Sequence, residues 1–239
     1  MNNGVKRIIM SIPCLGPALR RLYSCLVGRP VINFERSDQY WEDRYSLGGN
    51  SGAGSFGRLA RFKADFLNSF VKEKGLSTVV EFGCGDGAQL QLSEYPHYIG
   101  FDVSKTAIDK CKAKFSDKIN YEFHLVGSDQ YNNLQPVDIT LSIDVIYHLV
   151  EDDVFGLYMK KLFSSSEKFV VIYSYDFEQA YSSKHERGRN FSVWVEKYAP
   201  EWALIEHIPN KYSYDDSSPD DTSQSQFFVY KKRVKEPKV

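Results

Sequence analysis

The residues best suited to chemistry lie between positions 79 and 102. Val79-Val80-Glu81-Phe82 is a short β-rich run, and Gly83-Cys84-Gly85-Asp86-Gly87 follows it directly. Glycines admit backbone conformations barred to other residues and let the chain approach a ligand closely. A strand, then Gly-x-Gly-x-Gly, then a helix reads as a nucleotide-cofactor turn. The dinucleotide fingerprint places two residues between its second and third glycines, whereas this chain has one. Glu81 precedes the first glycine, and a charge at the end of an apolar strand is costly without a partner. Asp102 closes the next strand, where a carboxylate can accept bonds from both hydroxyls of a ribose. Cys84 reads as small filler between glycines rather than as a nucleophile.

Such groups need a scaffold, and the surrounding pattern supplies one. Apolar residues at helical spacing predict a helix over 58–74, stopped by Gly75. Strands are expected at 78–82, 98–101, 121–126, 138–143 and 169–174, with helices at 89–94, 105–115 and 152–163. Continuous apolar strands alternating with helices indicate an α/β fold: a doubly wound, mostly parallel sheet covered on both faces. Late strands at 202–208 and 226–231, joined by the polar loop 210–225, are expected to add an antiparallel C-terminal edge. Residues 37–57 are rich in glycine and aromatics. They read either as a lid carrying Tyr40, Trp41 and Tyr45 or as an aromatic arm packed on the core. The expected division is an N-terminal helical arm over 1–36 and one domain over 37–239.

Composition narrows the class. At 239 residues with 42% hydrophobic content, the chain can bury a core without disulfides or metal. Lys and Arg total 30 against 31 Asp and Glu, so no basic excess points to nucleic acid, and none is expected as a partner. Cys14, Cys25, Cys84 and Cys111 form no zinc-like spacing and read as reduced thiols of a cytoplasmic protein. The apolar run 8–19 is flanked by Lys6, Arg7, Arg20 and Arg21 and broken by Pro13 and Pro17. It is too short to span a bilayer. It is either an arm packed on the domain or a patch resting peripherally on the inner membrane surface.

Residues 79–90 resemble motif I of the class I methyltransferases, which use S-adenosylmethionine, and residues 98–102 resemble their motif II. The resemblance implies that Glu81 orients the amino-acid end of the cofactor, that Gly83, Cys84 and Gly85 make room for it, and that Asp102, with Val103 beside it, holds the ribose. Ser128 and Asp129 match the position that meets the adenine, although Asp129 also suits an Asx turn. Asp144 matches motif IV beside the sulfonium, although it also suits a helix N-cap. A more particular likeness covers residues 40–45, 48–55, 62–64, 144–149 and 187–194. It points to a bacterial subgroup associated with surface-polysaccharide loci, such as capsule or O-antigen. This implies transfer to a hydroxyl of a sugar or other small-molecule acceptor. The subgroup's stretch near His185 usually carries His-x-x-His. Here Gly188 replaces the second histidine, so a two-histidine role is not expected.

Methyl transfer to an alcohol is helped by a general base. His148, just past the fourth strand, is the first candidate and His185 the second; a lone histidine is also often structural. Arg187 and Arg189 suit an anionic acceptor or a solvated basic loop. No metal is expected, because a helix start accounts for Asp152 and Asp153. The rival classes are a nicotinamide oxidoreductase, a methyltransferase of protein or nucleic acid, and a noncatalytic cofactor-binding module.

Overall fold

Five apolar runs become parallel strands because both of their faces are covered. They are β1 (Thr78–Phe82), β2 (His97–Asp102), β3 (Tyr121–Leu125), β4 (Val137–Ile143) and β5 (Ser166–Ser174). The computed structural model describes residues 32, 34–180 and 183–233. After β5 come a two-residue hairpin, β6 (Gln179–Ala180) and β7 (Arg187–Gly188), and then β8 (Trp202–Ile208) and β9 (Gln226–Lys232). The main sheet has seven strands in the order β3-β2-β1-β4-β5-β9-β8, with β9 antiparallel to both neighbours. The expected fold class therefore holds: a Rossmann-like, mostly parallel sheet with an antiparallel C-terminal edge.

Alternate residues of each strand feed opposite cores. Val79, Ile139, Leu141 and Val171 pack beneath α2 (Gly57–Glu73) and α3 (Lys105–Lys114). Val80, Phe82, Val170 and Ile172 pack against α5 (Asp152–Ser164) and α6 (Phe191–Tyr198); Met159 and Leu162 are sealed at 0% exposure. Each such buried side chain contributes about 1.5–3 kcal/mol relative to leaving it in water. From β1 the chain steps outward to β2 and β3. It then crosses back over β1 to β4 on its other side. That reversal opens a crevice outside the carboxyl ends of β1 and β4, the usual ligand position in such sheets.

Several elements depart from expectation. Residues 37–57 begin with a ten-residue helix, α1 (Ser37–Ser46); a 3-10 turn at Ala53–Ser55 follows in the otherwise irregular stretch before α2. The helix expected at 89–94 is a 3-10 turn, Gln89–Leu92, because Ser93 is already extended. A four-residue helix, α4 (Asp129–Asn132), and α6 were not foreseen. Most of the arm at 1–36, including the apolar run 8–19, Cys14 and Cys25, lies outside the described residues. Cys84 and Cys111 are free and buried. No helix among the described residues is long and apolar enough to cross a membrane.

Candidate functional site

A cleft of about 670 Å³ occupies the crevice. The ends of β1, β2 and β4 supply Glu81, Asp102 and Asp144; the glycine turn supplies Gly83, Cys84 and Gly85; Val103, His148, Trp41 and Tyr45 also line it. The turn is tight for a visible reason. Gly83 sits at φ 86° and Gly85 at φ 56°, in the left-handed region that favours glycine. A Cβ on Gly83 would run into Val145, and one on Gly85 into Ser51 and Tyr45.

The two strand-end carboxylates are buried, Glu81 at 7% and Asp102 at 6% exposure. Asp102 Oδ2 accepts the amide of Gly85 at 2.9 Å, and Oδ1 accepts that of Ser104 at 2.9 Å. Burial still outweighs these bonds and lifts its pKa to about 6. Glu81 accepts the Tyr98 hydroxyl at 2.6 Å, and burial lifts it to about 7. Neutral or half-ionised carboxyls held at an opening have unspent acceptor capacity, since each oxygen carries two lone pairs.

Asp144 is a hub that the sequence shows only in part. Its backbone takes φ 57°, strained for a residue other than glycine though tolerable for aspartate. Its carboxylate accepts Lys63 Nζ at 2.5 Å, Ser225 Oγ at 3.1 Å and Tyr147 Oη at 3.2 Å. Lys63 is 1% exposed and also lies over the Tyr173 ring. It was missed as a site residue, yet the pattern held a signal. The buried stripe of α2 runs Leu59, Ala60, Lys63, Ala64, Leu67, which places a lysine where the core face demands an apolar residue.

Helix α1 borders the cleft with Tyr45 against the turn at Gly85, and it is tied at its start and in its middle. The Ser37 hydroxyl donates to Glu151 at 2.5 Å, and the Ser37 amide donates to the same carboxylate at 2.9 Å. Glu42 accepts Ser104 Oγ at 2.6 Å and the Thr106 amide at 3.1 Å, at the start of α3. Beyond the helix, Ser51 Oγ donates to Asp86 at 2.7 Å. Tyr40 faces away from the cleft and stacks on His185, ring centroids 4.3 Å apart, while Trp41 meets His148 edge-on at 4.8 Å.

No second histidine stands close to His185 in the chain, but the fold brings His148 beside it from a distant segment. His148 and His185 lie nearly parallel with centroids 5.9 Å apart, and His148 Nδ1 faces the carbonyl of His185 at 3.2 Å. That contact places the proton on Nδ1 and leaves Nε2 as an acceptor. Burial holds His148 at about 3 and His185 at about 4, so both rings are neutral near pH 7. His148 lines the cleft and His185 does not, so the second ring supports the first. Glu186 completes a group with these two whose candidate ligand atoms all lie within 4.8 Å of one another, a set able to hold a metal ion although none was expected.

Four expected residues are placed otherwise. Ser128 N-caps α4 by accepting the Tyr131 amide, and Asp129 is exposed; Val126, Gly127 and Tyr131 line the cleft in their place. Arg189 is 4% exposed and donates to the carbonyls of Leu149 and Val150 and to Asp152. Arg187 donates to Glu178 and Asp152. Both guanidinium groups clasp the start of α5 to the β6–β7 hairpin and do not line the cleft, which leaves neither free for an anionic acceptor.

No family model matches the chain. It is 29% identical over 135 residues to a small RNA 2'-O-methyltransferase of Arabidopsis thaliana, a match covering 50% of this chain and only 14% of that protein. Among solved structures it is similar to the N-methyltransferase NodS from Bradyrhizobium japonicum WM9 in complex with S-adenosyl-L-homocysteine (TM-score 0.62, 13% identity, 83% of this chain and 99% of that one). It is also similar to the methyltransferase domain of bacterial CtHen1-C (TM-score 0.54, 17% identity, 72% and 97%). These likenesses establish the fold of class I methyltransferases. They lend no support to the expectation that nucleic acid is not a partner, nor to a tie with polysaccharide loci.

Proposed function

We propose that this chain is an S-adenosylmethionine-dependent methyltransferase that acts on a hydroxyl of a sugar or other small-molecule acceptor, in bacterial surface-polysaccharide assembly. The observation that carries the reading is the pair of buried carboxylates, Glu81 and Asp102, closing adjacent parallel strands on either side of the Gly83–Gly85 turn. The residues present fit the cofactor. Each oxygen of Asp102 already accepts one amide and keeps a lone pair for a ribose hydroxyl. Glu81 can take the ammonium, and Lys63 keeps donors for the carboxylate of the methionine end. Val103, Val126 and Tyr131 offer apolar walls to the adenine.

When bound, this cofactor supplies a sulfonium methyl already activated for displacement. The chain must then align the acceptor oxygen and exclude water. Trp41 and Tyr45 on α1 line the cleft, Trp41 beside His148 and Tyr45 beside Gly85. His148, neutral with Nε2 free, accepts the hydrogen bond of the incoming hydroxyl and orients it. With a pKa of about 3 it is a weak base, so its contribution is chiefly orientation, with proton uptake late in the transfer.

A second reading places the hydroxyl on an RNA ribose. It is favoured by the name of the Arabidopsis relative and requires the same oxygen chemistry. Calorimetric titration with S-adenosylhomocysteine and with NAD tests the cofactor; binding of NAD alone overturns the proposal. Methyl-labelled cofactor incubated with nucleotide-sugar, glycan and short RNA pools tests the acceptor. Label in RNA alone moves the assignment to the second reading, and label in no pool favours a noncatalytic module.

A further inference from the structure

The exposed face of α2 and the loop between β8 and β9 enclose a second cavity, of about 370 Å³. Arg58, Arg61 and Lys211 line it with Tyr212, against one carboxylate, Asp65. Some exposed cations elsewhere are paired: Arg36 with Asp38, Lys105 with Asp109, Lys168 with Asp138. Among the described residues, none of Arg58, Arg61 and Lys211 is paired with a carboxylate, and Asp65 lies beyond ion-pair distance of all three. Convergence of unneutralised like charges raises the local attraction for anions. One of the three is also pre-positioned. Arg58 Nε donates to the carbonyl of Asp221 at 2.6 Å, and its guanidinium lies over the Tyr212 ring at 4.5 Å. Its terminal nitrogens stay available in a fixed fork, the geometry that suits a phosphate.

The cavity and the cleft are bordered by the same two segments. Ser55 lines the cleft and Gly57, two residues on, lines the basic cavity. On α2, Lys63 turns inward to Asp144 while Arg58 and Arg61 turn outward. At the far end of the loop that carries Lys211 and Tyr212, Ser225 donates to the same Asp144. Two residues span at most about 7 Å, so the rims of cleft and cavity lie close together at Ser55 and Gly57.

We propose that the Arg58–Arg61–Lys211 cavity is an anion subsite that holds a phosphate group of the acceptor. The proposal rests on the methyltransferase reading for what the phosphate belongs to, but not for its being bound. Inorganic pyrophosphate is titrated by calorimetry at low ionic strength into the full chain and into the double variant Arg58→Gln, Lys211→Gln. S-adenosylhomocysteine is titrated into both. Both replaced side chains are exposed, and thermal melting checks that the variant folds. The expected result is saturable pyrophosphate binding that weakens at least about tenfold in the variant, with S-adenosylhomocysteine affinity changed less than about twofold; one lost charge-assisted contact corresponds to roughly a tenfold change. Pyrophosphate affinity equal in both proteins overturns the proposal, as does failure to bind at all. Failure of S-adenosylhomocysteine to bind the unaltered chain sinks the methyltransferase reading separately. Competition for the pyrophosphate site by glucose 1-phosphate places the phosphate on a carbohydrate acceptor, and competition by a short single-stranded RNA places it on a nucleic-acid strand. Competition by neither overturns the assignment to an acceptor.

Discussion

Asp102 does two jobs at once: it ties down the glycine turn and presents a carboxylate to the cleft. Replacing it with alanine removes a charge-assisted acceptor worth about 1.5–3 kcal/mol. We expect Asp102→Ala to weaken S-adenosylhomocysteine binding at least about tenfold; equal affinity in titration counts against the site. The ion pair of Lys63 and Asp144 is asymmetric, and the asymmetry gives a second test. Lys63 is 1% exposed, whereas the Asp144 side chain keeps 20%. Removing one partner of a fully buried pair costs about 3–5 kcal/mol, because the other is left uncompensated. Asp144→Ala strands the more deeply buried charge and puts alanine at φ 57°, so it approaches that cost. Lys63→Met leaves an aspartate that water can reach, with Ser225 and Tyr147 still donating to it, and costs about half as much. Urea denaturation of both variants orders them, and the reverse order refutes this account.

Helix α1 belongs to the cleft because of what its polar residues reach. Glu42 caps the start of α3 through Ser104 and Thr106. Glu42→Ala should cost about 1–2 kcal/mol, as loss of a helix cap does. It should also weaken cofactor affinity, because α1 loses its tie beside Asp102. A variant with lowered melting temperature and unchanged affinity would show that the tie is structural only. The same helix marks where sequence reasoning stopped. β1 and β8 were legible to the residue, and the ends of β2, β5 and β9 to within a few, since each contains a short apolar or aromatic run such as Val79–Val80, Trp202–Ile205 or Phe227–Tyr230. α1 was not, because Tyr40, Trp41 and Tyr45 do not form one clean apolar stripe and glycines follow at once. Glu81, Gly83 and Asp102 could be read because strand ends fix their place. The pairing of His148 with His185 could not, because the β6–β7 hairpin that returns the second ring has two residues per strand.

Charge couples these groups across the molecule. Asp102 and Glu81 have folded pKa values of about 6 and 7, above the ordinary 3.8 and 4.5. The native state therefore holds their protons longer, and their contribution to stability, full below about pH 4, is lost as pH rises through 6 to 7. His148 and His185 run the other way. Their folded values of about 3 and 4 lie below the ordinary 6.5, so stability falls as pH drops from 6.5 towards 3. The two pairs oppose each other between about pH 4 and 6.5, which flattens the curve there. Binding a ligand that donates to Asp102 and Glu81 favours their ionised forms. Affinity for S-adenosylhomocysteine should therefore rise between about pH 5.5 and 7.5, with protons released to solvent. Calorimetry near pH 6.5 in two buffers of different ionisation enthalpy detects that release, and identical apparent enthalpies would disprove it.

The fastening of α1 at Ser37, at Glu42 and, just beyond it, at Ser51 sets a clock as well as a shape. If ligands exchange on the side that α1 borders, these three ties must loosen first, and such openings take microseconds to milliseconds or longer. If the chain is the methyltransferase proposed above, departure of the spent cofactor, rather than bond-making, is expected to pace the cycle. Rapid-quench measurements should then show one methyl group per chain transferred in an initial burst, followed by a slower steady phase. A single linear phase would mean that these ties loosen faster than the methyl group is transferred.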